Sequence, residues 1–318
     1  MKISYFLLLL IFATLKVAGQ TKADSIPFIA YWATGDSYNF TITKIQQQWQ
    51  EDEPIKNVST SFQATFTVLD SSDTGYRIKW VYDIDLSQFT NSDDSTANLI
   101  KGIAKDMVME VTYKTDEVGQ FVGLENLEEI KNRTLSIYST ISKNLEKSGK
   151  MSSEQTGKIL QALNKIFSSK EMVEQMVAKD ILLFHLPFGN AYPIADTLHY
   201  EDEFSNLFGN TALRADVQVY VKAASRDDNY CTIVQTSALN PEDAKTYFTN
   251  LFTQLGVNDK EMGEMIKTST LHITDNKHLE YWYDPGVPYF VESNRQSILR
   301  TGDKKVKSVD ITRIQYND

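Results

Sequence analysis

Apolar and polar residues alternate over long stretches of this chain, and the stretches come in two similar sets. Ser37 to Lys44 alternates well, and Ser61 to Leu69 places Phe62, Ala64, Phe66 and Val68 on one face. Asp70 to Gly75 is a turn cluster, after which Tyr76, Ile78, Trp80 and Tyr82 line one face of a returning strand. The second set repeats this plan with Val217, Val219 and Val221, a turn over Ser225 to Asn229, and a return over Tyr230 to Thr236. In that last strand both alternations carry apolar residues, the pattern of a strand covered on both sides. The match starts earlier still. Tyr31 to Phe40 and Ala191 to Tyr200 follow one plan at an offset of 160 residues, each leading into a strand through Asp36-Ser37 or Asp196-Thr197. It continues to strands that turn at Asp116 and Asp284 and return over Gly119 to Val122 and Val287 to Val291.

Helical spacing interrupts the strands at defined places. Asn240 is a good N-cap, Pro241 suits the first helical position, and Glu242 and Asp243 complement the positive end of the helix dipole. Ala244, Tyr247, Phe248, Leu251 and Leu255 then form a stripe that Gly256 ends. The first set has a shorter equivalent over Ala97 to Lys105. Between the sets, Leu127, Ile130, Ile137, Ile141 and Leu145 predict a long helix. Ser152 to Gln155 opens another as a capping box, and Met172 to Val177 continues on a third piece. This insert is too apolar for a free linker and is expected to pack on the sheets. After the turn Asp284-Pro285-Gly286 the chain ends as a meander, with strands over Tyr289 to Leu299 and Val306 to Tyr316.

The N-terminus changes the picture of where the protein works. Lys2 precedes an apolar run from Ile3 to Leu15, and Val17-Ala18-Gly19 supplies small residues before Gln20, the layout of a cleaved export signal. A membrane-spanning helix needs about 20 apolar residues, and this run is shorter. Removing Lys2 and Lys16 takes the net charge from −10 to −12. That charge argues against nucleic acid and against anionic membrane surfaces, which call for clustered Lys and Arg. The single cysteine, Cys231, lies in a predicted strand and leaves no internal disulfide. With 42% apolar and 11% aromatic residues the chain has the material for a core of its own.

Candidate chemistry is sparse. The histidines His185, His199, His272 and His278 make no zinc-binding pair; His272 and His278 are expected on successive strands as two partly exposed sheet residues, with a meeting across a hairpin as the alternative. Gly35-Asp36-Ser37-Tyr38-Asn39 fails the nucleophile-elbow pattern at its last position. Glu201-Asp202-Glu203, Asp93-Asp94 and Asp227-Asp228 lack the spacing of a calcium loop and read as solvated charge. Asp36 and Asp196 read as structural turn residues. Trp32, Trp80 and Trp282, with Tyr76, Tyr82, Tyr281, Tyr283, Tyr289 and Phe290, fall on or beside strands. They either fill the core or line a pocket for an apolar ligand. The sequence therefore nominates no catalytic, cofactor-binding, metal or ligand-binding residue, and no cofactor.

The signal ending in Gly19-Gln20, the stretch Gly35-Asp36-Ser37-Tyr38 and the turn Tyr283-Asp284 with Pro288 to Val291 resemble exported proteins of Bacteroidota. Curved antiparallel sheets crossed by helices are similar to the lipoprotein-carrier superfamily, LolA-like and RseB-like. The resemblance covers most of the mature chain as a strand-and-turn pattern, and it implies binding of acyl chains or other apolar ligands in a periplasmic setting. Asp24-Ser25-Ile26, Asp94-Ser95-Thr96 and Asp196-Thr197-Leu198 resemble O-glycosylation sites of those bacteria.

The expectation is thus an α+β protein of two related antiparallel β-rich halves with curved sheets, joined by a helical segment. Its divisions are a signal peptide over 1–19, a first β-rich repeat over 20–125, a helical connector over 126–182 and a second repeat over 183–318. The expected function is non-enzymatic binding of an apolar or amphipathic ligand, a lipid or acyl chain, or of a cell-envelope protein. Periplasmic or extracellular placement follows, with no stable membrane insertion after signal cleavage. Two other readings stay open: a structural module of the envelope without a cavity, and a hydrolase whose paired carboxylates the sequence does not reveal.

Overall fold

Eleven strands of the computed structural model join one antiparallel sheet, and two short strands pair beside it. The structure describes residues 24–83, 109–147, 170–204, 213–254 and 269–317, with positions 149, 152–154, 156–157 and 160–161 between them. The export signal, the helix expected over Ala97 to Lys105, the Asp93-Asp94 pair and the Gly256 stop lie outside the described residues.

The short strand β1 (Ser25–Pro27) comes first. A meander follows through β2 (Ser37–Gln50), β3 (Glu53–Ser72), β4 (Gly75–Asp83), β5 (Met109–Thr115) and β6 (Phe121–Leu124). The helices α1 (Leu127–Lys147), α2 (Lys170–Val177) and α3 (Lys179–Phe184) come next, and then β7 (Ala191–Pro193), which pairs with β1. A second meander runs through β8 (Leu198–Phe204), β9 (Leu213–Ser225), β10 (Tyr230–Leu239), β11 (Ser269–Trp282), β12 (Val287–Thr301) and β13 (Lys304–Tyr316), with α4 (Pro241–Gln254) between β10 and β11. No helix among the described residues is long and apolar enough to cross a membrane.

The two expected β-rich halves do not stand as separate sheets. The fold is mostly β, and β13 pairs with β12 on one side and β2 on the other, so both meanders belong to a single sheet. The reason lies in the side chains. Cross-strand partners run Ile233, Leu279, Val291, Ile314, Ile42, Phe62 from β10 to β3, one apolar row across six strands. Splitting the sheet at β2 and β13 would expose Ile314 and Ile42, which are both fully buried. Burial of each such side chain contributes about 1.5–3 kcal/mol.

The covering layer on this face is aromatic. Phe184 of α3 stacks on Phe66 at 5.2 Å between ring centroids and meets Phe40 and Trp80 edge-on at 5.6 and 5.4 Å. Tyr281 on β11 donates its hydroxyl to the Phe184 carbonyl. The segment after β1 adds Phe28 and Trp32, both buried, and the Trp32 indole N–H donates to the Gly286 carbonyl at 3.2 Å. Turn packing is equally tight at Gly75. Its φ is +137°, and a Cβ there would stand 2.1 Å from the Thr115 carbonyl oxygen, so only glycine fits.

Candidate functional site

Strand side chains alternate between faces, so the inward residues of neighbouring strands form rows across the sheet. The row through Ile233, Leu279, Val291 and Ile314 is apolar. One step of two residues further along each strand, the inward partners are Gln235, Lys277, Ser293 and Thr312. The next step gives Ser237, Asp275, Arg295 and Asp310. Four strands thus change from apolar to polar in step, and Gln235, Ser237, Asp275 and Thr312 are all buried.

Above this polar floor lies a cavity of about 430 Å³. Its roof is α3 and the turn behind it, with Leu182, Leu183 and Leu186, while Val217 on β9 forms an apolar wall and Asp202 and Glu203 of β8 stand at the rim. Helix α3 is held by a contact at each end. Phe184 anchors it in the aromatic core, and Asp180 in its first turn meets Lys44 of β2 at 2.9 Å. The Asp180 side chain is almost completely buried and Lys44 is partly exposed, so Lys44 reaches inward to it while resting 5.5 Å from the Phe62 ring centroid.

Two cations sit on the floor. Arg295 clamps Asp275 with two hydrogen bonds, Nε to Oδ1 at 2.7 Å and Nη2 to Oδ2 at 2.6 Å. This contact holds the guanidinium above its ordinary pKa. Lys277 differs. Burial lowers its pKa, with Asp275 acting in the opposite direction and Arg295 adding to the decrease. The Ser237 hydroxyl and the Asp180 Oδ1 are buried without a hydrogen-bond partner among the described residues. Leaving such a group unsatisfied costs about 1–3 kcal/mol.

The Arg295–Asp275 clamp predicts a measurable loss. Arg295→Met leaves the Asp275 carboxylate, whose side chain is 5% exposed, without its two charge-assisted donors. Urea unfolding is expected to show about 2 kcal/mol less stability, because hydrogen bonds to charged groups contribute about 1.5–3 kcal/mol. Pairing the change with Asp275→Leu is expected to recover most of it. Unchanged unfolding of the single variant would mean that water in the cavity solvates Asp275 as well as Arg295 does.

With this geometry in view, the comparisons with known proteins add one coarse statement. No family model matches the chain, and no curated protein matches it. A lipovitellin structure, described for its lipid–protein interactions, aligns over 90% of this chain and 25% of its own, at 8% identity and a TM-score of 0.43. The chain spans about a quarter of that molecule's length. The attachment invasion locus protein Ail of Yersinia pestis, solved with the heparin analogue sucrose octasulfate, aligns over 89% of this chain and 99% of its own, at 6% identity and a TM-score of 0.13. The likeness to lipovitellin is that of a large antiparallel sheet. No residue role transfers at such identity.

The residues singled out from the sequence fall elsewhere. His185 is a core residue, and His272 and His278 lie on one strand, β11, and not on two. Six residues apart in an extended chain, they are about 20 Å from each other, and His278 instead meets Glu280 at 2.7 Å. Cys231 is buried, and burial pushes its thiol up to about 12. Asp36 accepts the Ala33 amide at 2.8 Å and Asp116 those of Val118 and Gln120, as turn residues do. Among the described residues no group of three or more His, Cys, Asp or Glu is placed to hold a metal ion. Trp32, Trp80 and Tyr281 are buried in the core and do not line the cavity. The residues that do were missed because each reads, on its own strand, as an ordinary polar position. The signal was there: in four strands the same alternation changes between apolar and polar residues part-way along. It becomes visible only when the register aligns them.

Proposed function

We propose that the protein binds an amphipathic small molecule in the cavity between α3 and the sheet, as an exported, non-enzymatic binding protein. One observation carries this reading: a leucine-lined roof faces a floor of eight polar side chains in two adjacent rows. A purely apolar ligand would strip water from Asp275, Lys277 and Arg295 without replacing it, which is costly. A purely polar one would gain nothing from Leu182, Leu183, Leu186 and Val217. A ligand with both parts satisfies both surfaces, since pockets of this size combine apolar walls with a few placed polar groups. The buried aromatic core leaves the earlier idea of a pocket among the tryptophans without room.

The test is to recover the protein from its native envelope, extract it with organic solvent and identify bound molecules by mass spectrometry. An amphiphile at near-equimolar amount is expected, and Val217→Trp, which fills the cavity, is expected to remove it. Protein that carries no such molecule, and that takes up no fluorescent fatty acid in solution, would overturn the reading.

A further inference from the structure

The charges around the cavity are not equally engaged. Arg295 donates twice to Asp275, and Lys44 is held by Asp180. Lys277 lies in the same floor, flanked across the strands by Gln235 and Ser293. No hydrogen bond or ion pair to its ammonium is formed among the described residues, although the side chain is partly buried. Beside it, on the next row, the buried Ser237 hydroxyl is also without a partner. An ammonium group withdrawn from water is costly unless a counter-charge meets it; Asp275 offsets part of that cost but is itself clamped by Arg295, and the cross-strand neighbours Gln235 and Ser293 are neutral.

Resting on the amphiphile reading above, we propose that Lys277 receives the ligand's polar end, and that this end is a monoanion such as a long-chain carboxylate. The hydroxyls of Ser237 and Ser293 and the Gln235 amide complete the receptor, and the chain of the ligand runs along Leu182, Leu183 and Leu186. The limit to one negative charge comes from the other groups facing the cavity. Asp202, Glu203, Asp275 and Asp310 also line the cavity, so a second negative charge on the ligand meets repulsion. The lowered pKa of Lys277 fits the same picture, because burial is its largest cause and outweighs the opposing pull of Asp275 and Asp202, and a bound anion would reverse it.

Titration of the intact protein with palmitate, monopalmitoylglycerol and the dianionic palmitoyl phosphate tests the assignment. Wild-type protein is expected to prefer palmitate to both. Lys277→Met is expected to weaken palmitate about 10- to 100-fold, the loss of one charge-assisted hydrogen bond, while monopalmitoylglycerol changes by no more than about twofold. Lys277→Arg keeps the preference. Lys277→Gln, which retains polarity, repeats the comparison if the Met variant folds poorly, with thermal melts monitored for all. Equal wild-type affinities for palmitate and monopalmitoylglycerol, or equal losses of both in Lys277→Met, would overturn the role of Lys277 and leave the cavity reading standing. Preference for palmitoyl phosphate would overturn the single-charge limit. Failure of all three amphiphiles to bind wild-type protein would remove the cavity reading itself.

Discussion

Replacing Phe184 by Ala is expected to cost about 3–5 kcal/mol of stability, read as a lower urea midpoint followed by tryptophan fluorescence. The ring is fully buried against Phe40, Phe66 and Trp80. Its removal leaves a space that rigid sheet residues cannot fill. Helix α3 is six residues long, far below the length at which a helix holds itself together in water. Its place therefore depends on Phe184 at one end and the Asp180–Lys44 pair at the other. Because α3 is the roof of the cavity, ligand affinity is expected to fall along with stability. Phe184→Leu, which keeps most of the volume, is expected to cost less than half as much. A loss below about 1 kcal/mol for Phe184→Ala would fall outside the range for buried aromatic truncations and would show that α3 is anchored elsewhere.

Acid is expected to destabilise the protein through His185. Its Nδ1 lies 2.7 Å from the Gly119 carbonyl, which can only accept, so Nδ1 carries the proton. Its Nε2 then accepts from the Tyr113 hydroxyl at 2.8 Å. Rings of Trp32, Phe184 and Phe188 surround the imidazole, and burial pulls its pKa from 6.5 down to about 4. The unfolded chain therefore takes up this proton first as pH falls. The stabilisation from neutral His185 is complete above about pH 6.5 and is lost between there and about pH 4, by up to about 3 kcal/mol. Melting temperatures of wild type and His185→Gln across this window check it. The variant is less stable near neutrality, but its stability should fall less steeply with acid. Parallel curves would assign the acid sensitivity to carboxylates instead.

Local chemistry was the most legible part of the chain. The Asn240 cap is real, with its side chain accepting the Glu242 amide at 3.0 Å. The hairpin of β3 and β4 buries Ala64, Phe66, Val68, Ile78 and Trp80 as its alternation requires. The strand β11 was harder, because Asp275-Asn276 in its interior reads as a turn. Asp275 is tolerated there because Arg295 lies directly opposite it on β12. The single sheet was out of reach for a similar reason. Nothing in Ser37 to Gln50 or Lys304 to Tyr316 alone says that they pair, since the evidence is a match of registers between segments at opposite ends of the chain. The polar floor depends on the same registers, and so does the recognition of Lys277 as a lysine whose ammonium forms no hydrogen bond among the described residues.

The position of β13 also has a consequence in time. Where its turn meets that of β2 and β3, Lys305 donates its amide to Glu51 across 254 residues of sequence, and such distant pairings are slow to form. The strands β2 and β12 can each assemble with their own meander early. Until residues 304–316 arrive between them, each presents an unsatisfied edge of the kind on which other chains add. The cavity floor is incomplete over the same interval, because Thr312 and Asp310 belong to it. Protection from aggregation and capacity to bind are thus acquired together, when the last strand is seated.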